Sequence, residues 1–202
     1  MIGVSTKAMV NAFNLIDGLD GLCAGMGFLG ASALYAVAVA RGNVPLEQLA
    51  LPLTGALLGF LCYNFSRATM FLGDSGALLI GFLIGCAGIL SVEHGTILGM
   101  TVPLMVVAIP LTDLSLAVVR RSLAGRPIFS ADRGHIHHRL LDRGFTPRRA
   151  VLILYAWAIA GALFALLAAY PSLQRWQPAA VLGFCITAWI GVRQLRYSGL
   201  TW

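Results

Sequence analysis

Four aspartates stand where apolar stretches of this 202-residue chain begin or end: Asp17, Asp20, Asp74 and Asp113. They are half of its eight acidic residues; a carboxylate at a hydrocarbon boundary is costly unless it meets a polar cavity or a partner, so the four together suggest one shared cavity open to water. Asn11, Asn14 and Asp17 recur every third residue and lead into Asp17-Gly18-Leu19-Asp20-Gly21. On a helix that spacing puts the three on one face, and the two glycines would let backbone approach a ligand closely. The bland alternative is a polar turn in which Asp20 caps the next helix. Phe71-Leu72-Gly73-Asp74-Ser75-Gly76 poses the same choice, because Asp74 is either a helix cap or a metal ligand. Asn64, ten residues earlier, is placed to face the same cavity.

A second chemistry lies in the single long hydrophilic stretch, 120–149, where His135-Ile136-His137-His138 sits among eight arginines. Three readings compete. Basic runs beside a membrane bind acidic headgroups. Histidines can ligate zinc, but adjacent ones diverge on a regular element and no cysteine completes the set. The third, a phosphate-binding loop with arginine forks and histidine donors, fits this composition best. Carboxylates with oxygen-only surroundings suit Mg²⁺, which takes one or two carboxylates plus substrate phosphate oxygens. Together the clusters point to a phosphate-bearing molecule.

The elements that must position these groups are helices in a bilayer. The chain is 58% hydrophobic and 11% charged, against roughly 25% charged in soluble domains. Six blocks, 21–40, 48–66, 75–92, 95–112, 150–174 and 176–192, hold no Asp, Glu, Lys or Arg. Each matches the roughly 17–25 residues of a spanning helix, and backbone in lipid must satisfy itself, which blocks of this kind can do only as helices. The expected architecture is all-α and polytopic: one integral membrane domain over 1–202, about six spans, with 120–149 as a loop. If Asp17–Asp20 marks one face, all 14 basic residues except Arg41 and Arg175 fall on it. The positive-inside bias then makes that face cytoplasmic, with both termini on it. Residues 1–16 are expected there too, as too short and too polar to span. The pairs Gly21/Gly25, Gly55/Gly59 and Gly81/Gly85 read as sites of close helix packing.

At these residues the sequence resembles the polyprenyl-phosphate N-acetylhexosamine-1-phosphate transferases, which include phospho-N-acetylmuramoyl-pentapeptide transferase and undecaprenyl-phosphate GlcNAc-1-phosphate transferases. The matching pieces are Asn11–Leu22, Phe71–Gly76 with Asn64 upstream, Pro110–Leu114 and Ala131–Gly144, in family order. The His-Ile-His-His form is similar to the GlcNAc branch. The resemblance implies transfer of a hexosamine-1-phosphate, GlcNAc-1-phosphate by its branch, from a UDP-sugar to polyprenyl phosphate with release of UMP, in cell-envelope polysaccharide synthesis. It implies Asp17, Asp20 and Asp74 as catalytic residues, with Asp74 ligating Mg²⁺ (Mn²⁺ as a substitute). It assigns substrate binding to Asn11, Asn14, Asn64, Arg133, His135, His137, His138 and Arg139. The expected partners are a UDP-N-acetylhexosamine, a polyprenyl phosphate lipid and the bilayer, without nucleic acid; a homodimer is compatible with this architecture. The expected location is the cytoplasmic (inner) membrane with the active site on the cytoplasmic face.

Two departures accompany the match. The family's N-terminal spans and its adjacent pair of aspartates have no counterpart here, so the match is to the family's C-terminal part, as in an N-terminally truncated member. Arg67, Ala68 and Thr69 stand where the family usually shows proline, alanine and a basic residue. Two other functions compete: a remnant that binds UDP-sugar or polyprenyl phosphate without turnover, and a transporter. Transport sites usually lie near mid-bilayer, where none of these carboxylates is expected.

Overall fold

The computed structural model describes residues 2–92, 101–123, 125 and 135–194. In chain order the helices are α1 (Ile2–Ile16), α2 (Leu22–Arg41), α3 (Val44–Asn64), α4 (Gly73–Leu90), α5 (Thr101–Val106), α6 (Ala108–Leu123), α7 (Ile136–Asp142), α8 (Pro147–Ala169) and α9 (Gln177–Gln194). Local sequence sets several boundaries. Asn43 Oδ1 accepts from Leu46 N–H ahead of α3, and Thr146 Oγ1 accepts from Arg149 N–H ahead of α8. Each start also carries a proline in its first turn, where the missing N–H costs nothing. Gly42, at φ 65°, closes α2.

Four helices among the described residues, α2, α3, α4 and α8, are long and apolar enough to cross a membrane. The fourth expected block is broken at Val107 into α5 and α6. Pro110 explains the break, because it offers no N–H to the carbonyl one turn back. The sixth block becomes α9, with Gln177 at one end and Arg193–Gln194 at the other. Apolar side chains face outward: Leu51, Leu58, Leu163, Leu182 and Trp189 are all exposed. The interior is built largely from small ones, as in bundles assembled in lipid.

α2 is the central post, packed on α3, α4 and α8. Leu34, Val37 and Ala38 on it are fully buried. A Cβ on its Gly27 would lie 2.7 Å from Ile80 of α4, so the glycine sets the closeness of that crossing. Of the three glycine pairs, Gly81 and Gly85 admit α1: an added Cβ would meet Met9 O at 2.8 Å and Thr6 Cγ2 at 3.0 Å. Gly21 faces Phe65, and Gly25 faces Tyr155 of α8. Gly55 and Gly59 meet nothing within 4 Å, so the packing role expected of that pair is not realised among the described residues.

The same contacts correct the expectation for residues 1–16. Thr6 lies against Gly85 and Phe13 against Gly81, so α1 runs antiparallel to α4 inside the bundle. At 1.5 Å per residue Lys7 lies about 15 Å along the axis from Asp17. Lys7 and the start of α1 therefore do not share the Asp17 face. The apolar count missed this because Lys7, Asn11 and Asn14 interrupt the helix; they sit on its open side while Met9, Ala12, Phe13 and Ile16 are buried. At the opposite end of the bundle Arg41 donates to Ala169 O and Ser91 O, and Asn43 donates to Leu90 O, tying α2, α4 and α8 together.

Candidate active site

The Asp17–Gly21 turn joins α1 to α2 and is held from three sides. Gly21, at φ 78°, donates its N–H to Asn64 Oδ1 at 3.0 Å. Asn64, buried at the end of α3, donates from Nδ2 to Met70 O at 2.8 Å. Asn64 thus clasps the turn to the loop before α4. Asp20 Oδ2 accepts from Ala68 N–H in the same loop at 3.1 Å. Tyr155 of α8 donates its hydroxyl to Gly21 O, and its ring lies so near Gly25 that no side chain fits there. The loop carries Ser66 and Arg67 at φ 55° and 86°, a left-handed backbone that costs non-glycine residues about 1–3 kcal/mol each. Asp20 and Asn64 brace it.

Turn and loop frame a cavity of about 400 Å³ lined by Gly18, Asp20, Ser66, Arg67, Thr146 and Arg148 among others. Arg148 lies over the Phe65 ring, 5.9 Å from its centroid, and Phe65 in turn stacks on Tyr155 at 6.3 Å.

The histidines sit at the start of α7, directly against this turn. A Cβ on Gly18 would lie 2.5 Å from His137 Nε2, so only glycine lets the ring and the turn meet. His137 is 2% exposed, and its Nε2 has no hydrogen-bond partner among the described residues. Burial, with the neighbouring His138 second, lowers its pKa to about 4, so it is neutral at pH 7. The expectation that adjacent histidines diverge fails here. His137 and His138 have ring centroids 4.2 Å apart, and His135 stacks parallel to His137 at 5.8 Å. The short α7 lets extended His135 fold its ring back over the first turn.

Asp113 also departs from expectation, since it does not share an open cavity with the other three carboxylates. It is 1% exposed, accepts from Ile136 N–H at 2.8 Å through Oδ1, and pairs with His135 Nδ1 at 3.0 Å through Oδ2.

Asp17 and Asp74 are both exposed and lie within electrostatic reach. Desolvation by packing, and then the like charge of Asp74, raise the Asp17 carboxyl above the ordinary aspartate value. Among the described residues no three His, Cys, Asp or Glu side chains converge as a ready metal cage. Asn14 is half-buried on α1, Asn11 is exposed farther along it, and Arg139 is half-buried on α7. Arg133 lies outside the described residues.

The turn, the Asn64 clasp, Asp74 and the histidines thus meet at one end of the bundle. The sequence profile described as Glycosyl transferase family 4 matches residues 2–92, from α1 through α4. Decaprenyl-phosphate N-acetylglucosaminephosphotransferase of Mycobacterium tuberculosis is 44% identical over 75% of this chain and 43% of its own length. Undecaprenyl-phosphate alpha-N-acetylglucosaminyl 1-phosphate transferase of Escherichia coli is 31% identical over 94% of this chain and 55% of its own. The chain belongs to glycosyl transferase family 4. It spans about half the length of these curated relatives.

Sequence reasoning missed one residue of this candidate site and misplaced another. Tyr155 lies 134 positions from its partner Gly21, inside an apolar run with no local signal. Asp113 did carry one, as a lone acid in the apolar stretch 95–119, but sequence alone could not distinguish a buried anchor from an open ligand.

Proposed function

We propose that this chain carries the sugar-nucleotide and phosphate-handling part of a transferase that moves GlcNAc-1-phosphate from UDP-GlcNAc to polyprenyl phosphate. The observation that carries the reading is the seating of neutral His137 against Gly18, which joins the histidine segment to the aspartate turn. In this reading a phosphate oxygen of the lipid attacks the β-phosphorus of the nucleotide sugar. The new P–O bond forms as the bond to the bridging oxygen breaks, and UMP leaves with that electron pair.

The side chains divide the work by charge. Arg67 and Arg148 line the cavity beside Asp20 and offer donors to phosphate. Asn64 and Tyr155 keep the turn in register, so they act on the substrate through Gly21. His137 and His138 meet the diphosphate or its sugar. Two exposed carboxylates, with no third His, Cys, Asp or Glu converging on them among the described residues, fit Mg²⁺, so Asp74, with Asp17 beside it, would hold the ion. When bound, Mg²⁺ supplies charge neutralisation at the diphosphate and the departing UMP.

An apolar groove of about 320 Å³ between α6, α8 and α9 runs from Ala108 and Phe184 to Ile136, the neighbour of His135. It suits the first isoprene units of the acceptor. The basic residues described at the Asp17 end, Arg67, Arg120, Arg139 and Arg148 among them, favour a cytoplasmic face in a cell membrane, with Arg41 and Arg175 opposite.

The test is binding of UDP-GlcNAc to the purified chain with and without Mg²⁺, beside transfer of labelled GlcNAc-1-phosphate to undecaprenyl phosphate. Asp74→Asn is expected to abolish the Mg²⁺-dependent part of binding with helicity intact. Unchanged binding in that variant removes the metal role. Binding without transfer marks the chain as a binding unit that needs a further segment for turnover.

A further inference from the structure

The proposed reaction leaves one buried acid of the site unused. Asp113 lies on α6, fully enclosed, with both carboxylate oxygens committed to the start of α7. α7 has only seven residues, and the side chain of its N-cap residue, His135, makes no capping bond. The N–H of Ile136 is therefore an orphan donor. Asp113 Oδ1 satisfies it from 23 positions away, at 2.8 Å.

That bond fixes what the other oxygen can do. With Oδ1 on Ile136, Oδ2 stands 3.0 Å from His135 Nδ1. An ionised carboxylate only accepts, so Nδ1 must carry the proton. In the uncharged form of such a ring the lone pair lies on Nε2, the ring nitrogen left to meet a ligand. The same contact sets the ring plane, and His137 stacks on it within 4° of parallel. A single carboxylate thus fixes a tautomer, a ring orientation and the first turn of the histidine helix.

We propose that Asp113 is a positioning residue that holds His135 as the Nδ1-protonated tautomer, making Nε2 an acceptor for a hydroxyl or amide N–H on the sugar of a nucleotide-sugar substrate. The sugar specificity rests on the proposed function above. The tautomer does not.

Asp113→Asn separates positioning from folding. Its amide oxygen still accepts from Ile136, while its NH₂ now donates to Nδ1 and drives the ring to the Nε2-protonated form. The measurement is the ¹⁵N spectrum of histidine-labelled full chain in detergent, with titrations of UDP-GlcNAc and of UDP. In the parent, His135 is expected to show a protonated Nδ1 and a bare Nε2; in Asp113→Asn the pattern reverses. UDP-GlcNAc affinity is expected to fall roughly 10- to 100-fold, the scale for groups that orient a histidine from behind, with UDP affinity unchanged.

A parent His135 protonated only at Nε2 overturns the inference without any variant. So does an equal loss for UDP and UDP-GlcNAc, which marks a purely structural role, or a tautomer reversal that leaves UDP-GlcNAc affinity intact. A parent chain that binds neither ligand defeats the proposed function instead, and the spectrum still decides the tautomer.

Discussion

Replacing Gly18 by alanine tests the contact on which the site is built. Gly18 is not among the positive-φ residues, so alanine meets no backbone penalty and the effect is that of one methyl group. Its Cβ would stand 2.5 Å from His137 Nε2, 3.1 Å from Cε1 and 3.3 Å from Cδ2, whereas ordinary contact begins at 3.4 Å. Ring or turn must move by about 1 Å. The ring is buried and pressed against two other imidazoles, so it cannot swing away at low cost. Overpacking of this kind costs about 1–3 kcal/mol, and a 1 Å misplacement at a reacting centre costs about 100-fold in rate. Gly18→Ala is therefore expected to lower the unfolding free energy in detergent by about 1–3 kcal/mol. UDP-GlcNAc affinity should fall at least about tenfold, from loss of hydrogen bonds worth about 1.5 kcal/mol or more. Adding His137→Ala to Gly18→Ala should restore stability and leave binding weak. Gly55→Ala, whose methyl group meets nothing within 4 Å, is the neutral control. If Gly18→Ala melts and binds like the parent, the histidine segment does not rest on this turn, and the proposed function loses the observation that carries it.

Three further outcomes follow from the same geometry. Asp17 has a raised pKa, so its contribution to stability is full below the ordinary value near 3.8 and is lost as pH rises through the folded pKa. Asp17→Asn should accordingly raise the melting temperature at pH 7 and change it little below pH 3.8; an equal effect at both values would refute the assignment. His137 runs the other way, because its depressed pKa gives stability that is present above pH 6.5 and lost as pH falls toward 4. Denaturant titrations should show about 2–3 kcal/mol lost over that window, and His137→Phe should flatten the loss. Tyr155→Phe removes one of two donors to the Gly21 carbonyl, which keeps the Gly25 N–H at 2.9 Å, and should cost about 0.5–1.5 kcal/mol, read by thermal melts, with weaker UDP-GlcNAc binding.

What the sequence disclosed about this site, and what it hid, divides along the range of the interactions. Asp17, Asp20, Asn64 and Asp74 announced themselves because polar residues at the ends of apolar helices stand out at short range, and the turn and loop they mark do meet. The helical class was equally legible from block lengths. The break at Val107 was signalled by Pro103 and Pro110, yet the stretch still counted as one apolar block. The depth of α1 was hidden because a helix with one polar side fails an average over all its sides. The partners of Gly18, Gly21 and Asp113 were out of reach, since they come from segments 22 to 134 positions away and depend on how α6, α7 and α8 cross.

The open side of α1 bears on how the site communicates with its surroundings. Lys7 and Asn11 are exposed there, Asn14 is partly so, and Asp17 follows in the turn beyond the helix end. Held against acyl chains, a lysine at mid-depth costs on the order of 3 kcal/mol, so lipid is the least suited neighbour for this flank. The stripe is a seam: water or a polypeptide that filled it would reach Asp17 from the side, through the depth of the bilayer, as well as from the end of the bundle.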